Sequence, residues 1–128
     1  MSGIFLNELH LPTPDYFLNV RSKLQGIQTG RIIAKCENVF KIEKPDIVLV
    51  QGDTNSALGA AIAASKLGLS VGHVEAGCRS YDKRTPEEIN RVLISDVANL
   101  HYAPTSNCKS NLLREGIFKS HIFLTGSR

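Results

Sequence analysis

Three carboxylates stand where acid–base chemistry is feasible: Asp53 in Q-G-D-T, Glu75 in H-V-E-A-G and Glu87 in P-E-E-I-N-R. The nineteen residues from His73 to Arg91 hold three glutamates, one aspartate, three arginines and a histidine, directly after the apolar run LGLSVG. Carboxylates sharing one cleft repel, so at least one of such a set is expected to hold its proton more tightly than a free carboxylate. General acid–base catalysis near neutral pH needs that arrangement. Each residue also has a plain structural role available. Asp53 suits a helix cap, and Glu87 a first helical turn favoured by the macrodipole. Glu75 has no cap to fill. Thr85 and Glu88 read as a capping box with Pro86 at the first helical position, which leaves Glu87 free. Arg91 either pairs with Glu87 one turn earlier or reaches toward a phosphate, as Arg79 can from the loop. His73, inside a strand, reads as a satisfied core or supporting residue. Gly52 and Gly77 mark a sharp turn or a close backbone approach.

These residues must be positioned by elements that alternate along the chain. Helical spacing of Ile32, Ile33, Cys36, Val39 and Phe40 predicts a helix capped by Thr29 and closed by Pro45. DIVLV, residues 46–50, reads as a strand buried on both faces. NSALGAAIAASKLG is a helix with Leu58, Ala61, Ile62 and Ser65 on one side and Gly68 as its stop. SVGHV, residues 70–74, is the next strand. A helix over TPEEINRVLISDVANL places Ile89, Val92, Leu93 and Val97 in its buried stripe. HYAP, SNCKSNLLREG and HIFLTG then follow as strand, helix and strand. The order α-β-α-β-α-β-α-β is that of an α/β fold with a parallel sheet flanked by helices. The first 28 residues, broken by Pro12 and Pro14, read as a short helix and an irregular segment. In open parallel sheets ligands collect beyond the carboxyl ends of the strands. Gln51–Thr54, Glu75–Gly77 and Pro104–Ser106 all fall there.

Composition excludes several classes. At 128 residues the chain has room for one domain, and no apolar run approaches the ~20 residues that span a bilayer. The N-terminus lacks the pattern of a secretory signal. The net charge of +3 is a mild bias that suits a phosphate-bearing ligand or nothing in particular, and it lacks the clustered Lys/Arg stripe of a nucleic-acid binder. Cys36, Cys78 and Cys108 form no C-x-x-C pair and no zinc-ligand spacing, so they read as reduced thiols in a cytoplasmic protein. Cys78, in the charged loop, lacks a dedicated base beside it. Neither G-x-G-x-x-G nor G-x-x-x-x-G-K-[ST] occurs, which argues against a standard NAD or P-loop protein.

The run VLVQGDTNSALGAAIAASKLGLSVGHVEAG, followed by PEEINR, closely resembles the non-hydrolysing UDP-N-acetylglucosamine 2-epimerases. MSGIF, QTGR, KPDIVLV, APT, NLLREGI and LTG extend the likeness along the chain. The resemblance implies two Rossmann-like domains arranged as in GT-B glycosyltransferases, with the active site between them. It implies inversion at C2 of a UDP-N-acetylhexosamine by elimination and re-addition of UDP, without NAD or metal. Carried over by motif, Asp53, Glu75 and Glu87 are the acid–base groups, Arg91 lies near the phosphates, and Gln28 of Q-T-G-R joins the substrate-binding residues. The product is expected to serve surface polysaccharide synthesis, and relatives also act on diacetamido and uronate UDP-sugars.

The departures set further expectations. The chain starts at what resembles an internal methionine of the family, so the opening strands and a G-T-R-P-E turn are expected to be missing, as is the UDP-binding second domain. None of His10, His73, His101 or His121 matches that domain's catalytic histidine. The chain is therefore expected to be a partial Rossmann-like domain, inactive alone, or a non-catalytic module that complements a separate second domain. Loss of the neighbouring strand would leave Ile47–Val50 as an exposed apolar edge, and a homo-oligomer is expected through it.

Overall fold

The computed structural model describes residues 24–126, so the reading of the first residues as a short helix and irregular segment lies mostly outside them. In chain order come helix α1 (Gln25–Glu43), strand β1 (Ile47–Gln51), helix α2 (Asn55–Lys66) and strand β2 (Ser70–Val74). Helix α3 (Pro86–Val97), strand β3 (Leu100–Ala103), helix α4 (Ser106–Arg114), a short 3-10 turn at Lys119–His121 and strand β4 (Ile122–Leu124) complete it. The strands form one parallel sheet in the order β1-β2-β3-β4.

Helix α1 begins at Gln25, four residues before the expected cap, and Thr29 lies inside it. Gly26 and Gly30 disfavour a helix by about 1 kcal/mol each. Packing on α2, where Ile32 and Cys36 meet Ala63, overrides that local preference. The C-terminus behaves as Pro45 requires: Lys44 turns left-handed at φ 48° and its N–H closes on Phe40. The other three described α-helices share one device at the carboxyl rim of the sheet. Thr54, Thr85 and Thr105 each cap a helix, their hydroxyls accepting from the N–H groups of Ala57, Glu88 and Cys108.

Each strand step moves in the same direction, and right-handed crossovers then put the connecting helices on one face of the sheet. Val48, Val50 and Val71 meet Leu58, Ala61, Ala64 and Ile94 there, while Ala103 and Ile122 pack on Cys108 and Leu112. On the other face no described helix lies over the strands. The expectation that β1 is buried on both faces therefore fails: Val48 and Val50 are buried, but Ile47 is 40% and Leu49 61% exposed. Tyr102 and Phe123 stack on the same open face, ring centroids 5.6 Å apart. Among the described residues, strand β1 is an edge, paired only with β2.

The stripe expected on α3 is also out of phase. Ile89 and Leu93 are 41% and 43% exposed, whereas Glu88, Asn90, Ile94 and Ser95 are buried. Three of those four are polar, so apolar periodicity could not find the buried face. Among the described residues, no helix is long and apolar enough to cross a membrane.

Candidate functional site

Asp53 and Glu75 leave the carboxyl ends of the paired strands β1 and β2, and Glu87 stands exposed in the first turn of α3. Gly52 turns away from β1 at φ 78°, with its N–H on the Val74 carbonyl at 3.1 Å. Thr54 takes the capping duty, so the Asp53 carboxylate is released from it and meets Arg91 at 2.7 Å.

Glu75 holds a left-handed backbone, φ 65°. For a residue with a side chain that conformation costs of order 1 kcal/mol or more, and persists only where the surroundings over-determine it. The determinants are visible. Gln51 donates to Glu75 Oε1 at 2.8 Å, and the next residue, Ala76, is buried with its N–H on the Tyr102 carbonyl at 3.0 Å.

Glu88 does not return to the cap as a capping box requires. It is 1% exposed and accepts from the backbone N–H groups of Ser80 and Tyr81, at 3.1 and 2.9 Å. Arg91 pairs with Glu88 at 2.9 Å as well as with Asp53, so the expected Glu87–Arg91 pair gives way to an Asp53–Arg91–Glu88 bridge. The repulsion expected among the carboxylates is thus countered at Asp53 by a bound guanidinium. Burial pushes Glu88 up, but the Ser80 N–H, Arg91 and the Tyr81 N–H outweigh it and hold the carboxyl below its usual range. Glu88→Gln is expected to destabilise the chain by about 1.5–3 kcal/mol, the range for hydrogen bonds to a charged group. Urea unfolding checks this, with faster exchange at the Ser80 and Tyr81 amides.

Arg79 does not reach toward the cleft. Its side chain is fully buried and donates to both carboxylate oxygens of Glu115 at 2.9 Å, to Ser95 Oγ at 2.8 Å and to the Cys78 carbonyl at 2.9 Å. It clamps the charged loop to α3 and to the end of α4. Gln28 lies across the entrance to α2, where its side-chain oxygen accepts from Asn55 at 2.7 Å. Asn90 donates to Asn55 Oδ1 and to the Asp53 carbonyl, both at 2.9 Å, which links α1, α2 and α3 through amides. An open groove of ≈ 270 Å³ runs beside this chain of amides, between the first turns of α1 and α3. Sequence reasoning missed Asn90, Asn111, Gln51 and Glu115 as supports. Asn90 and Gln51 carried a signal, as the Asn of P-E-E-I-N-R and the Gln of Q-G-D-T on the carboxyl rim.

His73 is 1% exposed, with Nε2 on the Gly52 carbonyl at 2.8 Å, so it braces the turn that carries Asp53. Its Nδ1 and that of His101, its neighbour across β2 and β3, are buried without a hydrogen-bond partner among the described residues. Burial lowers the pKa of both; His101 falls to about 4, with His73 and His121 adding to the effect. A folded value below the unfolded 6.5 means the unfolded chain binds more protons, so stability is complete above pH 6.5 and drains as pH falls toward 4. Each such proton costs about 1.4 kcal/mol per pH unit. Denaturant midpoints at pH 7, 6 and 5 are expected to fall in that order, and His101→Gln flattens the profile.

A family model described as UDP-N-acetylglucosamine 2-epimerase matches residues 1–128, the whole chain. The chain belongs to the UDP-N-acetylglucosamine 2-epimerase family. It is 52% identical over 127 residues to the UDP-N-acetylglucosamine 2-epimerase of Methanocaldococcus jannaschii, covering 99% of this chain and 35% of that one. The crystal structure of the M. jannaschii enzyme with UDP-GlcNAc and UDP superposes with a TM-score of 0.94 at 52% identity, over 97% of this chain and 34% of that one. A Pseudomonas aeruginosa UDP-2,3-diacetamido-2,3-dideoxy-D-glucuronate 2-epimerase is 47% identical over 116 residues, 91% of this chain and 33% of its own. The chain therefore spans about a third of the length of the curated family members it matches. The α/β reading and the resemblance drawn from G-D-T, H-V-E-A-G and P-E-E-x-N-R hold, and the four-stranded parallel sheet is a partial domain of that fold.

Proposed function

We propose that this chain supplies the acid–base rim of a non-hydrolysing UDP-N-acetylglucosamine 2-epimerase, an isomerase without NAD or metal in its chemistry. The strained backbone of Glu75, at φ 65° beside the Gly52–Asp53 turn, is the observation that carries the reading. Strain of this kind, at the carboxyl end of a parallel sheet, is where a reacting carboxylate is held ready. A base removes the C2 proton while UDP departs from C1 with the electron pair of the C1–O bond, leaving a C1=C2 double bond. UDP then re-adds to C1 as a proton reaches the opposite face of C2. Two faces need separate proton carriers, and Asp53, Glu75 and Glu87 are the groups in reach of the rim. Arg91, and Gln28 beside the groove, serve the UDP-sugar, while Arg79 holds the loop.

A second, UDP-binding domain closing over the rim completes the GT-B-like site in this reading. Elimination requires the nucleotide held in place, so these residues alone are expected to turn over negligibly. NMR in D2O with UDP-N-acetylglucosamine tests this, with and without a separately expressed remainder of the M. jannaschii relative. Deuterium at C2 only in the mixture supports the reading. Exchange by the chain alone overturns its incompleteness, and no exchange from a mixture shown to associate overturns the assignment of the carboxylates.

The chain also self-associates in this reading, through the exposed edge Ile47–Val50. Light scattering is expected to show a dimer that Leu49→Lys returns to monomer; a monodisperse monomer of the parent chain sinks the idea. Free thiols at Cys36, Cys78 and Cys108 suit a cytoplasmic setting.

A further inference from the structure

Two of the three thiols meet. Cys78 Sγ lies 3.4 Å from Cys108 Sγ, although thirty residues separate them. Cys78 follows Gly77 in the loop that carries Glu75, and it is half-buried; Cys108 is buried in the first turn of α4. The approach is built in by three independent contacts. The backbone of Gly77 lies directly on Cys108, so close that a Cβ there would sit 2.3 Å from the Cys108 carbonyl oxygen. Asn111 donates to the Gly77 carbonyl at 3.0 Å, and Arg79, the next residue after Cys78, is clamped to Glu115. On the far side, Thr105 Oγ1 donates to Cys108 Sγ at 3.1 Å. The third thiol, Cys36, is buried against Ala63 between α1 and α2.

We propose that Cys78 and Cys108 are a reversible covalent modification site, closing to an intramolecular disulfide by exchange with a small-molecule disulfide. The Cys78 thiolate, the more exposed, attacks one sulfur of the small disulfide and releases the first small thiolate. Cys108, deprotonated, then attacks Cys78 Sγ and releases the second. The two cysteine protons end on the departing thiolates, and two electrons pass to the small disulfide. Closing the bond needs the sulfurs to move from 3.4 Å to about 2.05 Å. The result ties the Glu75 loop covalently to α4, beside the carboxylates but using none of them.

The rate carries a signature. Burial and the contact with Cys108 push the Cys78 thiol up to about 11, while Arg91 on α3 and Glu75 on its own loop pull in opposite directions. The exchange is therefore slow at neutral pH and accelerates up to about tenfold per pH unit toward that value.

The test uses the reduced 128-residue chain and oxidised glutathione at pH 8.5. Titratable thiols are expected to fall from three to one, with peptide mapping showing Cys78 joined to Cys108 and dithiothreitol restoring all three. In Cys36→Ser they fall to none, and in Cys108→Ser the reaction stops at a glutathione adduct on Cys78. Amide exchange across residues 76–79 is expected to slow at least tenfold in the oxidised chain. Linkage through Cys36, cross-linked dimers, a persistent adduct on Cys78 in the parent chain, or unchanged amide exchange would each overturn the proposal.

Discussion

Gly77→Ala is expected to lower stability by about 2–6 kcal/mol and to release the charged loop from α4. Two costs add at this residue. Its φ of 89° lies in the left-handed region, where a side chain costs of order 1–3 kcal/mol. Its Cβ would also meet the Cys108 carbonyl oxygen at 2.3 Å, the carbonyl carbon at 2.8 Å and Cα at 3.1 Å. All three are backbone atoms of a helix, so nothing flexible can yield, and overpacking of this kind costs typically 1–3 kcal/mol more. The loop must lift, which breaks the Asn111 hydrogen bond and parts the two thiols. Denaturant unfolding measures the loss. Exchange at the Ala76 amide, now on the Tyr102 carbonyl, reports the lifting. Gly116→Ala, also at positive φ but with open space around its Cβ, is the control and should cost less. Equal losses at the two positions would mean that backbone strain, not the contact with Cys108, decides.

Glu75→Gln is expected to cut C2 deuterium incorporation by about 10²–10⁴-fold in the complemented mixture, the usual contribution of one positioned acid or base. Gln keeps an oxygen that can accept from Gln51, so the loop should survive and unfolding should change little. An activity loss with stability intact separates a reacting carboxylate from a structural one. Unchanged incorporation would remove Glu75 from the chemistry. Loss of both together would make it a support for the loop.

The alternation of strands and helices was readable because each element carries its own period and its own stop. Pro45, Gly68 and the three capping threonines act locally, within a turn of the residue they control. The motif carboxylates were readable for a similar reason, since G-D-T and H-V-E-A-G sit where strands end. On α3 the same logic pointed to the wrong face, because Glu88, Asn90 and Ser95 are buried for their hydrogen bonds rather than for their hydrophobicity. Arg79 likewise read as a cation able to reach a phosphate from the charged loop. Its partner Glu115 is thirty-six residues away, beyond the reach of any local pattern.

By itself the sequence determined the parallel α/β order, the helix starts on the carboxyl rim, the family and the carboxylates that rim presents. Those features depend on contacts between residues a few positions apart. Only the tertiary structure decided that Arg91 bridges Asp53 and Glu88, that Arg79 is a clamp, that Glu75 is strained and that Cys78 faces Cys108. Apart from the Arg91–Glu88 leg, which lies within one turn of α3, each of these depends on where segments distant in the chain are brought together, and no periodicity or propensity encodes that distance.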